Sequence, residues 1–210
     1  MRVAALIGCR KEIAMNDNQV SNNAQVNNQQ VRPLEDESLR EVWLAGGCFW
    51  GLEAYLSKLN GVVYTNVGYA NGQIANPTYE QVCSNNTGYT ETVYVQYDPQ
   101  RIDLSKLMTY FFKVVDPTSL NKQGNDRGSQ YRSGIYYKDA TVKETIDRVI
   151  AQEQLKYAVP IVTEVVPLTN YYVAEDYHQK YLEKNPNGYC HINLSSLDRD
   201  PNANGGIETR

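Results

Sequence analysis

The amino-acid sequence predicts an α+β fold, a ferredoxin-like two-layer sandwich in which helices cover one face of a sheet. Three observations support this prediction. The length of 210 residues and the mass of 23.8 kDa suit one ordinary domain. Short alternating or continuous apolar runs predict strands, and apolar residues at three- and four-residue spacing predict helices. The first six elements follow the order strand, helix, strand, strand, helix, strand, which is that of the ferredoxin-like sandwich.

The first three elements of this core are predicted on either side of Cys48. Residues 42–46 have the composition of a short buried strand, and an amphipathic helix follows directly after Cys48. The helix stops at Asn60-Gly61, a typical end signal, and residues 62–69 form the next strand.

The other three elements are separated by two predicted loops. A polar loop rich in Gly, Asn and Pro is expected at 70–89, and alternating residues then predict a strand at 91–97. A helix at 104–115 has its apolar residues on one side. After a second loop at 116–130, a strand is expected at 131–137.

Beyond this core the sequence predicts a further helix at 141–158, a strand at 161–167 and a short helix at 174–183. We therefore expect an extra helix, an extra strand and a loop-rich C-terminal extension, all within one globular domain at 41–210.

The first forty residues differ from the rest. Residues 16–30 contain ten Asn or Gln and cannot form a packed face, so 1–40 is predicted to be a disordered tether. Leu6-Ile7-Gly8-Cys9 resembles a bacterial lipoprotein signal, although its apolar stretch is shorter than the ~7–15 residues of a usual signal. Two interpretations stay open here. In the first, Cys9 carries a lipid anchor and the protein is envelope-anchored or periplasmic. In the second, the match is due to chance and the protein is cytoplasmic.

Composition argues against several classes of protein. The chain has 24 acidic and 20 basic residues and a net charge of −4, whereas a broad nucleic-acid surface needs clustered Lys and Arg. No apolar run approaches the ~18 residues of a membrane-spanning helix. The four cysteines contain no C-x-x-C pair and the chain has only two histidines, so no zinc spacing can be assembled and no metal or cofactor is expected.

Cys48 is the strongest candidate for a reactive residue. It follows Gly46-Gly47 after a strand and opens a helix. The free N–H groups and the positive dipole end of a helix stabilise a thiolate, so the pKa of this thiol is predicted to be lowered. The alternative is a buried structural Cys in a strand-to-helix turn.

Several collinear motifs resemble one enzyme family. Gly47-Cys48-Phe49-Trp50-Gly51 is similar to the signature of the A-type methionine sulfoxide reductases. Further matching segments follow in order between Val42 and Cys190, and they are Gly68-Tyr69-Ala70, Asn76-Pro77-Thr78-Tyr79, Val82-Cys83-Ser84, Thr87-Gly88, Gly124-Asn125-Asp126, Gln130-Tyr131-Arg132-Ser133, Ala174-Glu175-Asp176-Tyr177-His178-Gln179 and Tyr181-Leu182-Glu183-Lys184-Asn185-Pro186.

This resemblance implies reduction of the S epimer of methionine sulfoxide, free or in oxidised proteins, by a monomeric enzyme. It implies that Cys48 attacks the sulfoxide sulfur and becomes a sulfenic acid, while Phe49 and Trp50 hold the methyl group of the substrate. Three residues are implied to act at the sulfoxide oxygen, with one proton donor and two phenolic hydrogen-bond donors: Glu91, Tyr79 and Tyr131.

The resemblance also implies a second half-reaction. Cys190 is implied to be the resolving thiol, which closes a disulfide that thioredoxin or a thioredoxin-like reductant then reduces. Cys190 lies beyond the last predicted helix, after Asn187-Gly188, where a chain can swing. Asp126 is implied to support the site and to bind the substrate backbone.

The residues themselves agree with these implied roles in part. Glu91 shares an alternating strand face with Val93 and Val95, and an acid on an apolar face is unusual unless it is paired or functional. Cys83 is interpreted as a structural thiol. Tyr89 stands where many relatives carry His, and we assign it no role in the chemistry.

Two other classes of protein remain to be weighed against the reductase. One is a Cys-His hydrolase, in which His178 would be the base for Cys48. The other is a tethered interaction domain in which Cys48 is structural.

Overall fold

The computed structural model describes residues 36–84, 86–197 and 200. Apart from its last five residues, the predicted tether lies outside the described residues, as does the Leu6-Cys9 motif. None of the described helices is long and apolar enough to cross a membrane.

The described part of the chain forms eight strands and five α-helices, with three short 3-10 helices. The strands are β1 Arg40–Ala45, β2 Val62–Ala70, β3 Thr90–Tyr97, β4 Lys122–Gln123, β5 Asp126–Arg127, β6 Gly134–Tyr137, β7 Glu164–Pro167 and β8 Tyr171–Val173. The helices are α1 Phe49–Leu56, α2 Tyr79–Ser84, α3 Leu104–Val114, α4 Lys143–Gln154 and α5 Tyr181–Lys184, and the 3-10 helices are Ser129–Tyr131, Ala140–Val142 and Leu194–Leu197.

Six strands form one sheet in the order β7-β6-β1-β3-β2-β8, while β4 and β5 form a separate small hairpin. The central strands β6-β1-β3-β2 pair antiparallel, as the ferredoxin-like sandwich requires. β7 extends one edge parallel to β6, and β8 extends the other edge antiparallel to β2. The predicted fold class is confirmed.

The sheet is covered on both faces, so that β3 is buried along its whole length. On one face, residues of the helices pack with Val93 and Val95 in the main core. On the other face lies a smaller aromatic cluster that includes Trp43, Tyr94 and Tyr136. The polar members of β3 therefore do not face solvent.

Several predicted boundaries are wrong in the loop-rich parts of the chain. The predicted loop at 70–89 contains α2, and the predicted strand at 131–137 begins only at Gly134 because a 3-10 helix precedes it. The sequence analysis also missed β8 and the β4–β5 hairpin. β8 is a three-residue strand whose partner β2 lies about 100 positions away, and β4 and β5 are only two residues long, so local periodicity carries little signal for any of them.

The predicted helix at 174–183 is helical only from Tyr181. Before that point, the Gln179 side chain accepts the Val67 N–H and donates to the Val67 carbonyl oxygen, at 2.9 Å each. The segment is thus held against β2 by an amide side chain in place of a helical ladder. This contact brings the residues around His178 to the start of α1.

Candidate active site

Cys48 lies at the turn between β1 and α1, where it caps the N-terminus of the helix. The preceding Gly47 has φ +83°, and a methyl group there would lie 2.6 Å from Cβ of Gln123. Only glycine fits this conformation without strain. The tight turn leaves Cys48 almost fully buried, with 6% of its surface exposed.

Glu91 reaches the same turn from β3. Its Oε2 accepts the backbone N–H of Phe49, the first residue of α1, at 3.1 Å. The side chain is 1% exposed and lies opposite Tyr69 of β2 in the sheet register. The structure therefore brings the predicted acid next to the predicted nucleophile, across 43 positions of sequence.

The predicted lowering of the Cys48 pKa is wrong for the protein without substrate. Burial raises the pKa of Cys48 well above its usual value, and the charge of Glu91 raises it further. The N–H groups of Trp50 and Gly51 oppose this rise, as expected of a helix N-terminus, but they do not outweigh burial. The resting group is a thiol that faces a carboxyl group.

Asp126 in β5 lies next to Cys48. It interacts with the backbone N–H of Cys48, and its Oδ2 accepts the Tyr189 hydroxyl at 3.1 Å. Nδ1 of His191 lies 3.8 Å from the same oxygen. Burial raises the pKa of Asp126, while His191 and these hydrogen bonds lower it. The carboxyl group thus links the turn at Cys48 to the C-terminal tail.

Aromatic side chains cluster beside Cys48, and they are the candidate wall of a substrate pocket. The rings of Phe49 and Trp50 lie 5.1 Å and 5.6 Å from the imidazole of His178, centroid to centroid. Tyr79 contacts the same imidazole at 4.5 Å, and Tyr181 stacks on Trp50 at 3.7 Å. An apolar, aromatic wall of this kind suits a methyl or thioether group.

His178 and Tyr181 are site residues that the sequence analysis did not assign. Both fall in segments that already matched the family pattern, Ala174–Gln179 and Tyr181–Pro186, so the motif itself was the available signal. Their distance of about 130 positions from Trp50 hid the contact from any local pattern.

His178 is unsuited to be the base of a Cys-His hydrolase. Burial lowers its pKa to about 4, so it is a weak base at neutral pH. Its Nδ1 already accepts the indole N–H of Trp50 at 3.0 Å. The geometry therefore favours a neutral imidazole that forms part of the pocket wall.

Glu175 connects α2, which begins at Tyr79, to Tyr69 of β2. Its Oε1 accepts the backbone N–H of Tyr79 at 2.9 Å, and its Oε2 accepts the Tyr69 hydroxyl at 2.8 Å. Tyr131 ends the 3-10 helix that packs against β3, the strand of Glu91, and is 4% exposed. Tyr79 therefore lies against the aromatic side chains through His178, and Tyr131 lies on an element packed against the strand that carries Glu91.

Cys190 is packed against α1 and does not project away from the domain. A methyl group on Gly51, in the first turn after Cys48, would lie 3.0 Å from the Cys190 sulfur. The thiol donates to the carbonyl oxygen of Ile192 at 3.1 Å. Ile192 itself is buried, which holds this part of the tail in place. The predicted resolving thiol thus lies against the first helical turn after Cys48.

Two residues were expected to have no part in the chemistry. Tyr89 is buried, and its hydroxyl donates to the carbonyl oxygen of Ile74, so it closes the loop before β3. Cys83 lies partly exposed in α2. Among the described residues, no group of three or more His, Cys, Asp or Glu side chains is arranged to hold a metal ion.

We expect Glu53→Gln to destabilise the pocket wall. Glu53 is buried in α1, and it accepts the Lys180 N–H at 2.9 Å and pairs with the Lys180 ammonium group at 3.2 Å. Loss of this buried charge pairing should lower the free energy of unfolding by about 1–3 kcal/mol. Because Tyr181 follows Lys180, KM for the sulfoxide should rise. Thermal unfolding and initial rates measure both effects.

The matched control for this prediction is Glu183→Gln, which removes an exposed acid in α5. It should change neither quantity measurably. If Glu53→Gln left Tm and KM at the wild-type values, the contact would not hold the pocket.

The geometry of the candidate site agrees with the family of proteins to which the chain is similar. The family model described as peptide methionine sulfoxide reductase matches residues 40–204. The chain belongs to this family. A peptide methionine sulfoxide reductase MsrA of Clostridium perfringens is 58% identical over 156 residues, which are 74% of this chain and 99% of that protein. A family member of this kind is an oxidoreductase that reduces methionine sulfoxide.

Solved structures of relatives support the same assignment. Mxr1 of Saccharomyces cerevisiae in reduced form has a TM-score of 0.71 and 38% identity, and the match covers 75% of this chain and 92% of that chain. Mxr1 in complex with Trx2 has a TM-score of 0.52 and 25% identity over 72% of this chain and 91% of that chain.

Proposed function

We propose that this chain, as a monomer, reduces the S epimer of methionine sulfoxide, free or in oxidised proteins. Cys48 becomes a sulfenic acid, Cys190 converts it to a disulfide, and thioredoxin or a thioredoxin-like protein reduces that disulfide. The observation that carries the proposal is the turn itself, where a buried thiol, the Glu91 carboxyl group and the Cys190 sulfur meet at the start of α1.

In the first half-reaction, Cys48 and Glu91 hold the proton that the sulfoxide oxygen needs. Since burial and the charge of Glu91 raise the pKa of Cys48, the proton rests on the Cys48 thiol without substrate, and it passes to Glu91 when the sulfoxide binds. When Glu91 carries it, Cys48 is free to attack as the thiolate. The Cys48 sulfur bonds to the sulfoxide sulfur, and the sulfoxide oxygen takes the proton. The hydroxyl group then moves to the Cys48 sulfur while the S–O bond of the substrate and the bond between the two sulfurs break, and methionine leaves. Cys48 keeps the OH group, so the sulfoxide is reduced and the thiol is oxidised.

The pocket walls account for the expected choice of epimer. Phe49 and Trp50 form an apolar surface suited to the methyl group of the substrate, while the Glu91 carboxyl group is fixed at the start of α1 by the Phe49 N–H. Hydrogen bonds from Tyr79 and Tyr131 would stabilise the developing charge on oxygen. With the methyl group and the peptide chain fixed, only one configuration at sulfur directs its oxygen toward Glu91. The opposite epimer would leave these buried polar groups unpaired.

The second half-reaction uses Cys190. Its thiol attacks the Cys48 sulfenic acid, a disulfide forms, and the hydroxyl group leaves as water. The contact of its sulfur with Gly51 supports this role because the two thiols start near the same helical turn. The solved complex of Mxr1 with Trx2 supports a thioredoxin as the reductant for the disulfide.

The test is an assay of the two pure sulfoxide epimers with dithiothreitol as reductant. We expect the wild type to consume the S epimer, with the R epimer at least about 100-fold slower. Cys48→Ser should abolish the reaction, because a hydroxyl group cannot replace the thiolate. Cys83→Ser, a partly exposed thiol outside the pocket, is the matched control and should retain activity. Equal use of both epimers would contradict the proposed pocket, and activity in Cys48→Ser would contradict the nucleophile.

A further inference from the structure

His191 has no part in the reaction as proposed, although it lies directly against the site. Its side chain is only 6% exposed. A methyl group on Gly47 would lie 3.0 Å from its Nε2, and one on Gly51 would lie 3.6 Å from its Nδ1. The imidazole is therefore packed between the two glycines that flank the turn of Cys48.

The imidazole is buried without satisfying its nitrogens. Neither ring nitrogen makes a hydrogen bond of normal geometry, which is costly for a buried polar group. Burial lowers the pKa of His191, while Asp126, 3.8 Å from Nδ1, and the Gly46 carbonyl group oppose that effect. A neutral imidazole therefore faces the site with a lone pair available, and an acid beside it can stabilise the charged form.

Cys190 must lose its proton to become a nucleophile, and its present hydrogen-bond partner cannot take that proton. Its thiol donates to the carbonyl oxygen of Ile192, which accepts a hydrogen bond but does not take up the proton. The nucleophile in disulfide formation is the thiolate. A methyl group on Gly51 would lie 3.0 Å from the Cys190 sulfur and 3.6 Å from Nδ1 of His191, so both atoms approach the same point.

We propose that His191 is the base of the second half-reaction, an inference that rests on the proposed function. Nδ1 takes the proton of the Cys190 thiol while its sulfur attacks the sulfur of the Cys48 sulfenic acid. The S–S bond forms as the S–O bond breaks, and the imidazolium returns the proton to the leaving hydroxyl group. The products are one disulfide, one water molecule and a neutral imidazole. The Asp126 carboxylate stabilises the transient positive charge.

The titratable groups that face His191 come from the tail, from β5 and from the start of α1, and they are Tyr189, Cys190, Asp126 and Cys48. Glu91 lies beyond Cys48, where its Oε2 is bound to the N–H of Phe49. Both carboxylates already accept hydrogen bonds, from the Tyr189 hydroxyl and from the Phe49 N–H, whereas the nitrogens of His191 make no hydrogen bond of normal geometry and one can take up a proton.

The experiment mixes reduced full-length enzyme with one equivalent of methionine sulfoxide and quenches it over time. Mass spectrometry counts the Cys48–Cys190 disulfide, and released methionine is measured in the same samples. A free thiol is a few per cent ionised at pH 7, so a base can gain at most about thirty-fold. His191→Gln should therefore slow disulfide formation by up to about thirty-fold at pH 7. The loss should shrink about tenfold per pH unit and disappear near pH 9.

Two further measurements keep the test decisive. A purely structural role for His191 would give a loss that does not change with pH, and this outcome would overturn the proposal. If His191→Gln does not fold, the wild type alone suffices. If His191 is the base, the rate of disulfide formation in the wild type should stop rising with pH once the imidazole is neutral. Because burial lowers the pKa of His191, the rate should already be level near neutral pH. A wild-type rate that rises tenfold per pH unit from 6 to 8 would overturn the proposal.

Failure of the proposed function is distinguishable from failure of this inference. If wild-type enzyme releases methionine but never forms the Cys48–Cys190 disulfide, the proposed second half-reaction is wrong. If the disulfide forms and His191→Gln forms it at the wild-type rate at pH 7, only the role of His191 is wrong. Ser196→Ala, an exposed change in the same tail, is the control and should form the disulfide normally.

Discussion

Glu91→Gln should slow the single-turnover release of methionine by about 10²–10⁴-fold, the usual worth of a general acid. The amide oxygen can still accept the Phe49 N–H, so the shape of the turn is kept, but the transferable proton is lost. Binding of the sulfoxide should change far less, because proton transfer matters only on the way to the transition state. Rapid-quench measurement of methionine across pH, wild type against variant, gives the effect.

The same substitution should make Cys48 easier to ionise. The charge of Glu91 raises the pKa of Cys48, so its removal should lower that pKa and move the pH profile of alkylation by iodoacetamide to lower pH. A more reactive thiol combined with slower sulfoxide reduction distinguishes the loss of an acid from a general loss of structure. Glu41→Gln, which alters an acid bound to Tyr94 on the other side of the sheet, is the control.

Methionine release by Glu91→Gln at the wild-type rate at every pH would contradict this role. The proton would then come from Tyr79, from Tyr131 or from water. An unchanged alkylation profile would show that Glu91 carries no charge next to the resting thiol.

Cys190→Ser should abolish turnover with thioredoxin while still releasing one equivalent of methionine per enzyme. Serine fits the same place beside Gly51 but cannot form a disulfide, so the reaction stops at the Cys48 sulfenic acid. Dithiothreitol, a small thiol that can reach the sulfenic acid itself, should restore part of the turnover. The measurements are the methionine burst and steady-state consumption of NADPH through thioredoxin reductase.

The control for this prediction is Cys83→Ser, which should keep full turnover with thioredoxin. Full turnover by Cys190→Ser would remove Cys190 as the resolving thiol and leave Cys83 or Cys9 as candidates. Loss of the burst as well would mean that the tail is needed to build the site around Cys48.

The core of the fold could be predicted because its signals are local. Alternation in β3 and the apolar spacing in α1 and α3 arise within each segment, and their order along the chain limits the sheet to few topologies. The elements that were missed or misplaced, such as β8 and the segment before α5, are held by distant partners. In the segment before α5, the Gln179 side chain makes hydrogen bonds with the N–H and the carbonyl oxygen of Val67 in β2, and the segment is not helical.

The active site could be predicted in part for the same reason. Cys48, Phe49 and Trp50 are neighbours in the chain, so one short motif gave the proposed nucleophile and half of the candidate pocket. His178 and Tyr181 complete that pocket from the far end of the chain, and only the packed structure revealed their contacts with Trp50.

The sequence by itself determined the order of the elements, the place of Cys48 at a glycine-rich turn before a helix, and the resemblance to a methionine sulfoxide reductase. Only the tertiary structure decided the ionisation state of that thiol. A helix N-terminus lowers a thiol pKa, and this could be read locally; burial and the charge of Glu91 raise it, and they exist only after distant segments have packed around Cys48. Electrostatic energies depend on distance and solvent exposure, which a linear sequence does not contain.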